Sequence, residues 1–149
     1  MSRRHFEDFR AGEVAMSAPY TVTREAIVDF ARKYDPQPFH LDEEGGKRSI
    51  YGGLIASGWH TCAIAMRLVC DLYITDSHSM GSPGVEDIRW LKPVRPDDTL
   101  RLRWSVLETK PSRSRPEMGA VRTQWEMLNQ RDEVVMLATS WGLFGRRPA

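Results

Sequence analysis

The chain has 149 residues, 41% of them hydrophobic and 28% charged, with 21 Lys+Arg set against 20 Asp+Glu. A chain of this length forms one domain able to bury roughly 68–70% of its unfolded surface, which excludes large multidomain machinery and removes any need for disulfides or a structural metal. The formal net charge of +1 supplies no overall basic field, which argues against non-specific nucleic-acid binding. The segment Met1 to Asp8 has no apolar run of the kind a secretory leader needs, and its acids come too early for a transit peptide. The two cysteines, Cys62 and Cys70, would lie about 12 Å apart on one helix, beyond the roughly 7 Å limit for a disulfide. A reducing, cytoplasmic setting is the expectation.

Taken in chain order, residues 1–149 read as a single unit without repeats, low-complexity tracts or a dividing linker. Glu13 to Val22 predicts a first strand, and Thr23 predicts an N-cap for a helix running to about Lys33, with Ile27, Phe30, Ala31 and Tyr34 at helical spacing. Asp35-Pro36-Gln37-Pro38-Phe39-His40-Leu41-Asp42 cannot continue that helix, because two prolines remove amide donors and push the residues before them toward extended backbone. A shaped loop is expected there, followed by a polar segment from Glu43 to Ser49. The apolar stretch Leu54 to Tyr73 would be about 30 Å long as a helix, but His60, Arg67 and Asp71 make it the buried helix of a soluble core and not a membrane span.

Four strands are predicted after it, over Gly84–Leu91, Thr99–Leu107, Gly119–Asn129 and Glu133–Phe144, with turn signals between them. Leu100, Leu102, Trp104 and Val106 alternate with Arg101, Arg103 and Ser105, the period of two that buries one face and wets the other. An apolar helix followed by four antiparallel strands, with the earlier strand as a fifth, predicts an α+β hotdog fold in which a curved five-stranded sheet wraps a long central helix.

Chemistry concentrates in the spacing Asp35-x-x-Pro38-x-His40-x-Asp42, followed by Tyr51-Gly52-Gly53-Leu54-Ile55-Ala56-Ser57-Gly58-Trp59-His60-Thr61. Over nearly the whole chain, including Arg89-Trp90-Leu91-Lys92-Pro93-Val94, this resembles the MaoC-like hydratases and dehydratases, among them the R-specific enoyl-CoA hydratases. The resemblance implies an Asp35–His40 dyad that holds and activates a water for addition across the double bond of an acyl thioester. Syn addition needs one group to take a proton from water while another proton reaches the neighbouring carbon. It also implies that Gly53, read as opening the long helix, offers a backbone amide to the thioester oxygen with help from the helix dipole. By the same resemblance Thr61 matches a serine that hydrogen-bonds the aspartate; with the thioester carbonyl at the helix start, the acyl chain is expected to run inward past apolar residues such as Trp59 and Phe39. Gly52 departs from the histidine often found there, which leaves the substrate range open.

Asp42 reads as an N-cap for the segment after it, and His60 as structural or pocket-lining. Gly45-Gly46-Lys47-Arg48-Ser49 lacks the first glycine and spacing of a P-loop, and Ser57 lacks the flanking glycines of a hydrolase elbow. No third or fourth ligand is spaced to join His40 and Asp42 around a metal, so no metal and no cofactor is expected, coenzyme A entering only as the carrier part of the substrate. Arg113 and Arg115, in a basic hairpin loop, are candidates for meeting its phosphates. An acyl carrier protein is the other possible carrier. The resemblance further implies a homodimer, or a dimer of dimers, with a tunnel beside Gly53 whose mouth a second subunit helps to line. Two rival readings stand beside the hydratase. A hotdog thioesterase would place its acid on the long helix, where Asp71 is the only one, and a non-catalytic hotdog subunit would not need Asp35 and His40.

Overall fold

The computed structural model describes residues 3–149; Met1 and Ser2, which open the segment read for a leader, lie outside the described residues. Three long strands form the body of the sheet, β4 (Thr99–Pro111), β5 (Met118–Leu128) and β6 (Val134–Gly145), after the shorter β1 (Val14–Met16), β2 (Tyr20–Thr21) and β3 (Gly84–Trp90). These strands pair antiparallel in the order β1-β4-β5-β6-β3, with β2 also on β4. Trp104 sits opposite Trp125, and Trp125 opposite Ala138. Register shifts at Val85/Asp87, Val106/Glu108 and Met127/Leu128 add local twist, which curls the sheet.

The hollow of the sheet receives α4 (Gly58–Val69), whose chain continues through a π-helical turn over Cys70–Ile74. Ile64, Ala65, Leu68 and Val69 of α4 share one core with Leu100, Leu102, Trp104, Val121, Met127, Met136 and Ala138 of the strands. Each large apolar side chain buried there contributes roughly 1.5–3 kcal/mol relative to exposure. An aromatic group closes one end, with Tyr73 and Trp104 ring centroids 4.4 Å apart and those of Phe9 and Phe144 also 4.4 Å apart. This is the hotdog architecture expected from the strand and helix pattern. Among the described residues, no helix is long and apolar enough to cross a membrane.

Three local expectations need correction. The first strand is split, because Ser17-Ala18-Pro19 interrupts it: Pro19 has no amide to donate, and the Ser17 hydroxyl accepts from the Leu102 amide at 2.8 Å. After α1 (Arg24–Tyr34), which Thr23 caps by accepting from the Ala26 amide at 3.1 Å, the loop and polar segment contain two short helices. These are α2 (Pro38–Leu41), with Pro38 in its first turn, where the missing amide costs nothing, and α3 (Glu43–Lys47), capped by Asp42 through the Gly45 amide at 2.6 Å.

The third correction concerns the start of the central helix, expected near Gly53 and found at Gly58. The amides of Leu54, Ile55 and Ala56 donate sideways, to Glu43 Oε1 at 3.1 Å, the Phe39 carbonyl at 3.0 Å and the Val94 carbonyl at 2.8 Å. Those bonds hold the segment extended against α2, α3 and the chain after β3, so the helix starts only where Ser57 caps it.

Candidate active site

The end of α1 and the single turn of α2 fix the two candidate catalytic side chains. Asp35 terminates α1, its amide still bonded to the Ala31 carbonyl, and Pro36 prevents the helix from continuing. His40 lies on α2 with its ring almost wholly buried, and its Nε2 is 3.3 Å from Asp35 Oδ2. The other ring nitrogen, Nδ1, is 2.8 Å from the Ile55 carbonyl oxygen. A carbonyl only accepts, so Nδ1 carries a hydrogen and Nε2 is the atom turned to the aspartate. Facing an ionised carboxylate, which also only accepts, that short contact is attractive when Nε2 is protonated as well.

Two further donors hold Asp35. The Ser57 hydroxyl donates to Oδ2 at 2.7 Å and the Gln37 side-chain amide to Oδ1 at 2.7 Å. Partial burial pushes the Asp35 carboxyl up, but the bonds from Ser57 and Gln37 and the neighbouring His40 charge outweigh it and leave the group below the ordinary carboxylate value. Asp35 is therefore held ionised.

The dyad opens on a cleft of about 460 Å³, lined among others by Gln37, Phe39, Tyr51, Ile55, Gly58, Trp59, Trp90, Leu91 and Lys92. Asp35, His40, Phe39, Trp59 and Thr61 all reach this cleft, as the sequence reading brought them together. The expected partner of the aspartate is different, however. Thr61 Oγ1 makes only a long 3.5 Å contact to the Ser57 carbonyl, and Ser57 holds Asp35 instead. A serine followed by glycine and an apolar run is an N-cap signature that could have drawn attention to Ser57.

Gly53 does not line the cleft and lies five residues before the helix, so the helix-dipole argument does not apply to it. Gly58 does line it, at the first position of α4. A Cβ there would sit 2.4 Å from the Trp90 ring, whose Nε1 donates to the Gly58 carbonyl at 3.0 Å. His60 faces away, stacked on Phe30 with ring centroids 4.9 Å apart. Arg113 lines a separate depression on the β4–β5 hairpin with Lys110, Ser112 and Met118, and Arg115 lies 3.8 Å from Glu117 on the same turn. Neither arginine lines the dyad's cleft within the chain.

A curved sheet around one helix, with an acidic residue and a histidine converging on a cleft at that helix's start, defines a hotdog protein with a candidate acid–base site. The chain belongs to the MaoC-like domain family, whose model matches residues 8–126. It is similar to the structure of a MaoC-like dehydratase from Rhodospirillum rubrum, 43% identical, with a TM-score of 0.87 over 97% of this chain and 99% of that one. It is also similar to the uncharacterised protein YdeM of Bacillus subtilis, 30% identical over 85% of this chain and 88% of the relative. Mesaconyl-CoA hydratase of Cereibacter sphaeroides is 30% identical over 147 residues, 97% of this chain, which spans only 42% of that enzyme's length.

Proposed function

We propose that this protein is an acyl-thioester hydratase or dehydratase that reversibly adds water to a 2-enoyl-CoA or a related branched acyl-CoA. The observation that carries this reading is the 3.3 Å approach of His40 Nε2 to Asp35 Oδ2 at the edge of a cleft, with Ser57 and Gln37 keeping the carboxylate ionised. Membership in a family with a named CoA-thioester hydratase supports it.

In the hydration direction, a water between the two groups gives a proton to Asp35 as its oxygen bonds to the β-carbon. The α-carbon takes the Nε2 proton of His40 on the same face. The proton then passes from Asp35 back to Nε2, and the dyad is restored. Nδ1 takes no part, since it keeps its hydrogen and donates it to the Ile55 carbonyl. The thioester oxygen, negative in the intermediate enolate, needs a donor from the Gly53–Gly58 segment. The amides of Leu54, Ile55 and Ala56 are already spent, which leaves Gly53, Ser57 and Gly58, and of these Gly58 lines the cleft.

The active unit is proposed to be a homodimer joined along β3. That edge strand is exposed on both faces, and the apolar side chains beside it, Val85, Trp90 and Leu91 with Trp59 of α4, stand largely open, Trp59 at 57% and Trp90 at 46%. Unpaired edge groups next to apolar surface are what a two-fold partner covers. In such a pair, Arg113 and Arg115 of one subunit are the candidates for meeting coenzyme A phosphates at the mouth of the other's cleft.

The test is a spectrophotometric panel of trans-2-enoyl-CoA thioesters of differing length and branching. Asp35→Asn and His40→Ala are each expected to lower hydration at least about 100-fold with the fold intact. Near wild-type turnover in either variant overturns the assignment.

A further inference from the structure

One wall of the cleft is the run Trp90-Leu91-Lys92-Pro93-Val94 that leaves the end of β3. Among the described residues, Lys92 is the only lysine or arginine that lines the cleft, and apart from Asp35 and His40 the other lining residues are uncharged. The hydration chemistry proposed above has no use for an ammonium group: Asp35 and His40 move the protons, and backbone amides meet the thioester oxygen. A strongly hydrated lysine is also a poor wall for a purely hydrocarbon chain.

The way Lys92 is held leaves it able to change partner. Its Nζ pairs with Glu133 Oε2, while Glu133 Oε1 accepts from Asn129 Nδ2 at 2.9 Å and from Arg131 Nε at 2.9 Å. Together Lys92, Asn129 and Arg131 hold Glu133 down to about 2. If the ammonium turns toward a ligand, the carboxylate keeps two donors and contact with solvent, so no bare buried charge results. The backbone beneath it is fixed, because the Leu91 and Lys92 amides both reach the Val135 carbonyl and Val94 is bonded to Ala56. Only the side chain has to move.

We propose that Lys92 determines specificity by receiving an anionic group at the far end of a short acyl chain, so that the preferred substrates are dicarboxylic 2-enoyl thioesters. This rests on the thioester reading above. A phosphate of the carrier offers the same charge, but the pantetheine arm separates it from the thioester, whereas Lys92 shares one cleft of about 460 Å³ with the dyad.

Binding is measured by calorimetry with two saturated thioesters that do not turn over, succinyl-CoA and butyryl-CoA, and with the pantetheine thioester of each. The wild-type protein is expected to bind succinyl-CoA at least tenfold more tightly than butyryl-CoA. The pantetheine pair should show the same preference, Lys92→Met should abolish it, and Lys92→Arg should largely restore it. Equal affinity for the two thioesters in the wild-type protein, or a preference that survives Lys92→Met, overturns the proposal. So does a Lys92→Met loss shared by both CoA thioesters and absent from both pantetheine thioesters, since the anion received is then the carrier's phosphate. Turnover of fumaryl-CoA and crotonyl-CoA is measured in parallel. Selective succinyl-CoA binding with no turnover of either would sustain the role of Lys92 while overturning the hydratase reading.

Discussion

The Ser57 hydroxyl donates to Asp35 Oδ2 at 2.7 Å and, through the same oxygen, accepts the Trp59 amide at 3.2 Å. One side chain thereby starts the central helix and holds the carboxylate of the dyad, so folding of the core and ionisation of the site are coupled at a single atom. Ser57→Ala is expected to destabilise the protein by about 1–3 kcal/mol, from the lost cap and the lost bond to a charged group. Chemical denaturation measures it, and a change within a few tenths would contradict the dual role.

The same variant tests the sign of the electrostatics. Asp35 sits below its ordinary value in the folded protein, so its contribution to stability is present above the unfolded carboxylate value and is lost as pH falls through the lower, folded value. Removing the Ser57 donor brings the folded value up. The acid limb of the kcat/KM profile should therefore move to higher pH in Ser57→Ala, and an unmoved or lowered limb would show that Ser57 does not set the charge of Asp35.

Gly58 and Trp90 should be strongly coupled. A methyl at position 58 would meet the indole at 2.4 Å, so Gly58→Ala is expected to cost roughly 1–3 kcal/mol. Shortening the indole in Trp90→Ala removes the obstacle, and the double variant should lose less than the sum of the two single ones. Strict additivity in the cycle would mean that the ring yields freely.

The proposed dimer makes it costly to replace an exposed apolar side chain of β3 by a charge. Val85→Arg adds a cation to the exposed edge strand, and light scattering should report a shift from dimer to monomer at micromolar concentration. A wild-type protein that is monomeric there, or a variant that stays dimeric, excludes this edge.

For the hairpin arginines, reversing both charges should raise KM for a CoA thioester much more than for the matching pantetheine thioester, which lacks the nucleotide phosphates. Equal effects would make the loop a solvated turn.

How much of this was legible in the sequence follows the range of the forces involved. The alternation of Leu100 to Val106 and of Val121 to Met127 is a local period of two, and it specified the sheet. The pairing of Asp35 with His40 came from the resemblance that the Asp35-x-x-Pro38-x-His40-x-Asp42 motif carries; the prolines by themselves predicted only a shaped turn. Ser57 reaches Asp35 across 22 residues, and its local N-cap signature says nothing of that contact. The start of α4 was misplaced for the same reason: Leu54, Ile55 and Ala56 satisfy helical propensity, but their amides are claimed by Glu43, Phe39 and Val94, partners that only the assembled fold brings near.

The glycine pair in α3 carries a consequence of its own. A Cβ on Gly45 would lie 2.2 Å from the Pro38 carbonyl oxygen, and one on Gly46 2.1 Å from the Gly53 carbonyl carbon. The turn that bears His40, the helix after it and the strand-like segment whose carbonyl orients the imidazole are thus stacked main chain on main chain, with no side chain between them to act as a shim. At these two positions an added carbon meets main chain and not the flexible end of a side chain, so it can be accommodated only by shifting the backbone that carries His40. Mutational drift can reshape what the cleft accepts through Phe39, Tyr51, Trp59 and Leu91, which line it, while the spacing of Asp35 and His40 stays locked to the thickness of bare peptide.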